Sequence, residues 1–364
     1  MSEANKPDDH TLGELIDMQL TQNGPMSVAT YMSLALTHPR SGYYTGKDPL
    51  GRGGDFVTAP EISQMFGELI GFFLVNLWQQ MDEPKSFTLL ELGPGRGTLM
   101  QDALRVAAKA EGFLDACHLQ LFETNPALKA QQAERLGKYN PYWATEIDAV
   151  SDDPLFVVAN EFFDAMPIRQ FVKGEDAWHE RQVGLRNGKR VFGLNPTPIP
   201  EASMPEGVRG AASGEVYEVS LASADIIHQL GTRIRDQRGA LLAIDYGYDD
   251  IQTGETLQAV RSHTFVDPLE APGEVDLSAH VSFGALRIVA EEVGLKVEKL
   301  STQRDFLGGL GIVERATALA RANPKRIDEI GAALKRLTAP EEMGTLFKVF
   351  CAHSGNIEAL GFPA

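Results

Sequence analysis

Apolar residues return along the chain with two different periods. In roughly the first 85 residues they recur every three to four positions, so that Leu12, Leu15, Ile16 and Leu20 share one helical face. Ile62, Met65, Phe66, Leu69, Ile70 and Phe73 share another. This spacing predicts an N-terminal helical segment over 1–86, with one helix from Pro60 to Trp78 entered through the glycine-rich loop GKDPLGRGGDFVTAP. From Phe87 the pattern changes to short apolar runs separated by amphipathic stretches: FTLLEL, HLQLFE, PLFVVAN and later ALLAID. That alternation predicts an α/β core with a parallel sheet and crossover helices over 87–364.

Local signals refine the elements. Thr98 and Gln101 stand in capping-box relation ahead of a stripe of Leu99, Ala103, Leu104, Ala107 and Ala108. Asn125-Pro126 reads as an N-cap followed by proline in the first turn, and Gly294 as a helix stop before the strand-like LKVEKL. LFKVFCAHS is expected to close the sheet near the C-terminus. Three insertions interrupt the scheme, near 176–215, 248–282 and 303–343. The first holds WHERQVGLRNGKRVFGL, a predicted hairpin turning at Asn187-Gly188, followed by the proline-rich TPIPEASMPEG. The second is a long excursion after a core strand, and the third reads as one or two added helices.

Composition narrows the function classes. No apolar run of the 364 residues approaches the ~20 needed to cross a bilayer, and MSEANKPDDH has no signal-peptide pattern, which predicts a cytoplasmic protein without membrane insertion. Acidic residues outnumber basic ones by 50 to 33, a formal charge of −17, which disfavours a nucleic-acid partner. A cationic partner suits that charge, although solubility alone explains it as well. Cys117 and Cys351 lie far apart in apolar contexts, so no disulfide is expected, and the eight histidines lack ligand spacing, so no metal is expected either.

The strongest chemical signal is LLELGPGRGTLMQDALR, in which Gly93, Gly95 and Gly97 follow an apolar strand and open a helix. A turn at the carboxyl end of such a strand is where open α/β sheets bind ligands, and glycine lets the backbone approach closely. The nucleoside-triphosphate loop is excluded because GPGRGT has no lysine. The dinucleotide fingerprint GxGxxG differs by one residue from the GxGxG found here. Glu91, two positions before Gly93, repels a pyrophosphate but suits a ligand carrying positive charge, such as S-adenosylmethionine. Glu123, closing HLQLFE, is placed to accept hydrogen bonds from a ribose in either ligand class.

GGDFVTAPEISQMFGE, LLELGPGRGTLMQD, FETNPALKAQQ, VVANEFFDAMPIRQFV, AIDYGY, DPLEAPGEVDLSAHVSF and GTLFKVF together resemble the MidA-like class I methyltransferases, in order from Thr11 to about Phe350. That family includes a mitochondrial complex I assembly factor acting as a protein arginine methyltransferase. The resemblance implies a Rossmann-like, seven-stranded, S-adenosylmethionine-dependent fold with an N-terminal helical segment and insertions on the substrate side. Carried over by position, it assigns Glu91, Gly93, Gly95 and Gly97 to the cofactor motif, Glu123 to the ribose and ANEFFDAMP to the substrate edge. Asn125-Pro126 replaces the more usual Ser-Pro and preserves the cap.

The residues after PLFVVA carry chemistry of their own. Asn160, Glu161 and Asp164 end an apolar strand at the ligand edge, with Asn160 assigned to the cofactor and the two acids to catalysis. Acids there suit a cationic nucleophile: a carboxylate can hold a guanidinium, orient one nitrogen and take up the proton released after transfer. Pairing of Glu161 with Arg169, or capping of the FFDAMP turn, is the structural alternative. Asp245, Tyr246 and His280 are candidate substrate contacts, and Gly53, Gly54, Asp55 and Thr58 a candidate lid. The expected function is methyl transfer from S-adenosylmethionine to an arginine of a protein partner, with a respiratory complex I subunit as one candidate. The alternatives are a non-catalytic assembly factor and a nicotinamide-dependent oxidoreductase.

Overall fold

The computed structural model describes residues 10–46, 58–147, 153–261, 263–355 and 357–363. These fall into two compact units, one made from the described parts of Met1–Pro49, Ala165–Ala222 and Ile251–Ala279, the other from those of Leu50–Asp164, Ser223–Asp250 and His280–Ala364.

The second unit holds the sheet expected from the apolar runs. Its strands are β1 (Phe87–Leu92), β2 (Cys117–Phe122), β3 (Tyr142–Ala144), β4 (Leu155–Asn160), β5 (Gly239–Tyr248), β6 (Lys296–Val297) and β7 (Phe347–His353). They lie in the order β6-β7-β5-β4-β1-β2-β3, with two-residue strands at Val281–Ser282 and Ser301–Thr302 branching from β5 and β7. β1 to β5 run parallel, and β7 enters antiparallel to β5. All six residues of β1 are buried, as a strand covered on both faces requires. Register decides where the chemistry falls. Leu92 pairs with Phe122 and with Ala159, and Asn160 pairs with Ile244. The residues that follow, Gly93, Glu123 and Glu161, therefore leave the sheet along one carboxyl edge, and Asp245, next after Ile244 in β5, lies at the same level.

Helices cover the faces. The segment expected as one helix from Pro60 to Trp78 is divided: a four-residue helix, Ala59–Ile62, precedes α1 (Gln64–Gln80). Between them Ser63 is extended (φ −161°, ψ 140°), and its hydroxyl accepts from the Met65 amide at 3.2 Å. A serine that caps the following helix competes with continuing the preceding one, and here the cap prevails. α2 (Thr98–Ala107) follows β1 and packs closely on α1, because a Cβ on Gly71 would come within 2.3 Å of the Ala103 carbonyl. The expected capping box at Thr98 does not form: Gly97 occupies the cap position, and the Thr98 hydroxyl is bonded elsewhere. α3 (Pro126–Leu136) carries the expected cap, with Asn125 accepting from the amides of Ala127 and Leu128. α4 (Leu221–Gln237) leads into β5, and α5 (Phe283–Glu292) ends before Gly294, whose φ is 93°.

The region 303–343 holds three α-helices where one or two were expected: α6 (Gln303–Gly309), α7 (Ile312–Ala322) and α8 (Ile327–Thr338). Glu68 of α1, 2% exposed, joins this layer to α2 by accepting from Arg105 at 2.7 Å and from both Nε and Nη2 of Arg315 at 2.6 and 2.8 Å.

In the first unit, helices Leu12–Asn23 and Val28–Thr37 bury Leu12, Ile16, Leu20, Tyr31 and Met32 in one cluster with Leu269, Val275 and Leu277. Its main sheet contains the expected hairpin, Trp178–Arg186 with Lys189–Leu194, and Asn187 (φ 53°) and Gly188 (φ 72°) adopt the left-handed conformations that such a turn requires. Among the described residues no helix is long and apolar enough to cross a membrane.

Candidate cofactor and acceptor site

The glycine turn leaves β1 with Gly93, Gly95 and Gly97 all left-handed, at φ 62°, 52° and 76°. A side chain is strained in that region, and a Cβ on Gly93 would also meet the Phe162 ring at 2.9 Å. The turn is held at both ends by main-chain bonds, Gly93 N–H to the Phe122 carbonyl (3.1 Å) and Gly97 N–H to the Pro94 carbonyl (2.8 Å). Its middle is held by Gln132 of α3, which is fully buried. The Gln132 amide donates to the Gly95 carbonyl at 2.6 Å and to Glu123 Oε2 at 3.3 Å, and its oxygen accepts from Trp143 Nε1 at 2.7 Å. Sequence reasoning missed Gln132, whose only signal is a polar residue on the apolar face of the helix.

Two carboxyl groups face this turn. Glu91 is 3% exposed and its Oε2 has no hydrogen-bond partner among the described residues. Burial, and then the charge of Glu123, push its pKa up to about 8. Glu123 accepts through Oε1 from the amides of Thr124 and Asn125, both at 2.8 Å, which fixes the carboxyl. Burial still raises its pKa above the ordinary value. A buried carboxyl oxygen lacking a partner would be relieved by a ligand cation, so these residues fit S-adenosylmethionine: Glu91 would face its positive charge and Glu123 would accept from the ribose hydroxyls.

A pH dependence follows. A cation bound beside Glu91 favours the ionised form, so binding between pH 6 and 8 releases a proton, and affinity should climb by up to about tenfold per pH unit below a pKa of about 8 and level off above it. Calorimetry in buffers of different ionisation enthalpy measures that proton; an affinity flat from pH 6 to 9 would remove Glu91 from the cation's neighbourhood.

The second half of the edge begins at Asn160, whose Oδ1 is buried and has no bonding partner among the described residues, while its Nδ2 donates to Glu161 Oε1 at 3.2 Å. Glu161 has a left-handed backbone (φ 50°), a conformation that a non-glycine residue keeps only where its surroundings impose it. The same Oε1 accepts from the main-chain N–H of Ala59 at 3.1 Å. Burial, then the charge of Asp164, raise the Glu161 pKa to about 7. The expected alternative partner, Arg169, is instead held by both oxygens of Glu180 at 2.7 and 2.8 Å.

Asp245 is 1% exposed and accepts three main-chain amides, from Phe163 (3.0 Å), Asp164 (3.1 Å) and Tyr246 (3.0 Å). These bonds shape the turn carrying Glu161 and Asp164, and the closeness of Asp164 and Glu161 adds to burial in pushing the Asp245 pKa well upward. Tyr246 is buried, edge-on to His280 (centroids 5.4 Å apart) and to Phe347 (5.6 Å). Of the lid candidates, Thr58 precedes the Ala59–Ile62 helix without capping it, and Gly53, Gly54 and Asp55 lie outside the described residues.

The family model for S-adenosyl-L-methionine-dependent methyltransferases matches residues 69–301, more than half of the chain. The chain belongs to that family. The methyltransferase is 36% identical over 359 residues to the mitochondrial protein arginine methyltransferase NDUFAF7 of Danio rerio, covering 91% of this chain and 84% of the relative. It is 34% identical over 363 residues to the Homo sapiens protein of the same name, covering 91% and 81%. Among solved structures, a Burkholderia thailandensis protein bound to S-adenosylhomocysteine superposes with a TM-score of 0.83 at 27% identity, covering 96% of this chain and 93% of that one. The resemblance drawn from the motifs therefore holds, as do the methyltransferase fold and its cofactor. The expectation of a cytoplasmic protein does not: these relatives are named as mitochondrial.

Proposed function

We propose that this methyltransferase transfers a methyl group to an arginine side chain of a protein. The observation that carries the reading is Glu161, a carboxyl held at the carboxyl edge of the sheet in a left-handed conformation, with its pKa raised to about 7 and Asp164 three residues away. When bound, S-adenosylmethionine supplies an electrophilic methyl group on a sulfonium. The chain's own residues supply the rest. Glu161, whose Oε1 already accepts from Ala59 and Asn160, would accept guanidinium N–H through its other oxygen and orient one nitrogen for attack, and Asp164 adds negative potential to the same side. As the N–C bond would form, the S–CH3 bond would break with its electron pair left on sulfur as the thioether of S-adenosylhomocysteine, and the surplus proton on the nitrogen would pass to the Glu161 carboxylate, which titrates near neutrality. The names of the relatives, protein arginine methyltransferases, agree with this acceptor. A mitochondrial protein is the substrate to seek first, beginning with the subunits of respiratory complex I.

The reading is tested by incubating the protein and methyl-labelled S-adenosylmethionine with a lysate lacking it, then locating the label. Label on an arginine of one or a few proteins is expected. Label confined to lysine, to a carboxyl group or to small molecules would overturn the assignment.

A further inference from the structure

The four-residue helix Ala59–Ile62 touches both halves of the site. At one end the buried Ala59 donates its main-chain N–H to Glu161 Oε1 at 3.1 Å. Two residues on, Glu61 Oε1 accepts the proton of the Thr98 hydroxyl. Arg135 Nη1 donates to that same hydroxyl oxygen. Thr98 is the first residue of α2, directly after left-handed Gly97. Arg135 lies one helical turn beyond Gln132, so the helix that holds the Gly95 carbonyl through Gln132 holds the start of α2, just past the turn, through Arg135. The Thr98 hydroxyl gives its single proton to a carboxylate and accepts from a guanidinium.

We infer that Ala59–Ile62 couples the cofactor turn to the acceptor-side carboxylate, the Glu61–Thr98–Arg135 bonds acting as the latch that places the Ala59 N–H on Glu161. This rests on the reading of Glu161 given above. Thr98, Glu61 and Arg135 are positioning residues: they act on Glu161 through Ala59. The short helix is held by apolar packing, with Ala59 in the main core cluster and Ile62 packed against it, and the latch adds a polar tether where Thr58 makes no side-chain cap and extended Ser63 interrupts the run into α1. Around Glu161 stand Asp164 on its own turn, Asp245 at the end of β5, Arg336 on α8 and the Asn160 amide. Loss of the Ala59 donor leaves burial and the unfavourable charge of Asp164 in place and removes one of the groups that stabilise the ionised form.

The test uses the full chain with its glutamate side-chain carboxyls labelled with ¹³C, the Glu161 resonance being identified by its absence from Glu161→Gln. In the wild type Glu161 should titrate near 7. In Thr98→Val, which keeps the shape and deletes the hydroxyl, the midpoint should lie at least about half a pH unit higher, and Thr98→Ser should restore it. Affinity for S-adenosylhomocysteine, measured by calorimetry, should stay within about threefold in both variants. If Thr98→Val fails to fold, Glu61→Leu against Glu61→Gln makes the same comparison. An unmoved midpoint overturns the coupling, and so does a loss of S-adenosylhomocysteine affinity beyond about tenfold, which would make Thr98 a cofactor residue. Methyl transfer by Glu161→Gln is measured separately. Full activity there sinks the acceptor role itself, whereas an inactive Glu161→Gln with an unmoved Thr98→Val midpoint sinks only the latch.

Discussion

Glu161→Gln should bind S-adenosylmethionine within about threefold of the wild type and transfer methyl groups ~100-fold more slowly or worse. Gln keeps the length and planarity of the side chain and an oxygen able to accept from Ala59, so the turn should retain its shape. It loses the charge that holds a guanidinium and the site that receives the proton. Those interactions strengthen as the reacting nitrogen is aligned, so kcat should suffer more than KM. The wild-type rate should rise with pH through about 7, because Glu161 must be ionised to act and its neighbours hold its pKa there. Gln has no such ionisation, and the residual activity of the variant should lose that limb. Asp164→Asn, which removes only a neighbouring charge, should cost less. Steady-state rates from pH 5.5 to 9 with one labelled acceptor decide the matter: an undiminished Glu161→Gln would make the carboxylate structural, and one that no longer binds cofactor would put it in the other half of the site.

Gly95→Val should abolish S-adenosylmethionine binding, by 100-fold or more, while leaving the sheet folded. The φ of 52° at this position is an outlier for a β-branched residue, worth roughly 1–2 kcal/mol of strain. Relief of that strain would move the Gly95 carbonyl off the Gln132 amide, 2.6 Å away, and with it the support that Gln132 gives to Glu123. If the turn holds the cofactor, the added side chain would also stand in the ligand's path. Binding isotherms for S-adenosylmethionine and for NAD, with melting curves as the control for folding, give the comparison. NAD should bind the wild type far more weakly than S-adenosylmethionine, since Glu91 disfavours a pyrophosphate. Undisturbed S-adenosylmethionine binding by Gly95→Val would mean that the turn is not the cofactor site.

What could be read from the chain alone divides along the reach of each interaction. The glycine turn, the Asn125 cap and the Asn187-Gly188 hairpin are decided within a few residues, and all three are found where local chemistry puts them. Glu91, Glu123 and Glu161 were identifiable as groups at strand ends because the parallel register carries every such residue to one edge. Their surroundings were not. The Ala59 N–H reaches Glu161 from 102 positions away, and Asp245 reaches the Phe163 amide from 82. Thr98 shows the limit most directly: its spacing to Gln101 suited a capping box, yet Glu61 and Arg135, each 37 residues distant, claim its hydroxyl. Ser63 was lost for the opposite reason, since one extended residue inside an otherwise helical apolar period leaves no mark on that period.

The first unit is drawn from three separate stretches of chain, and this shapes its synthesis. Leu12, Ile16, Leu20, Tyr31 and Met32 emerge from the ribosome long before Leu269, Val275 and Leu277, the residues that complete their cluster. At ordinary elongation rates of roughly 5–20 residues per second, those helices wait on the order of ten seconds or more with their apolar faces in water. During that interval the nascent chain presents an adhesive amphipathic surface, and its safe passage depends on whatever chaperone or tunnel-exit surface shields it until the second insertion arrives.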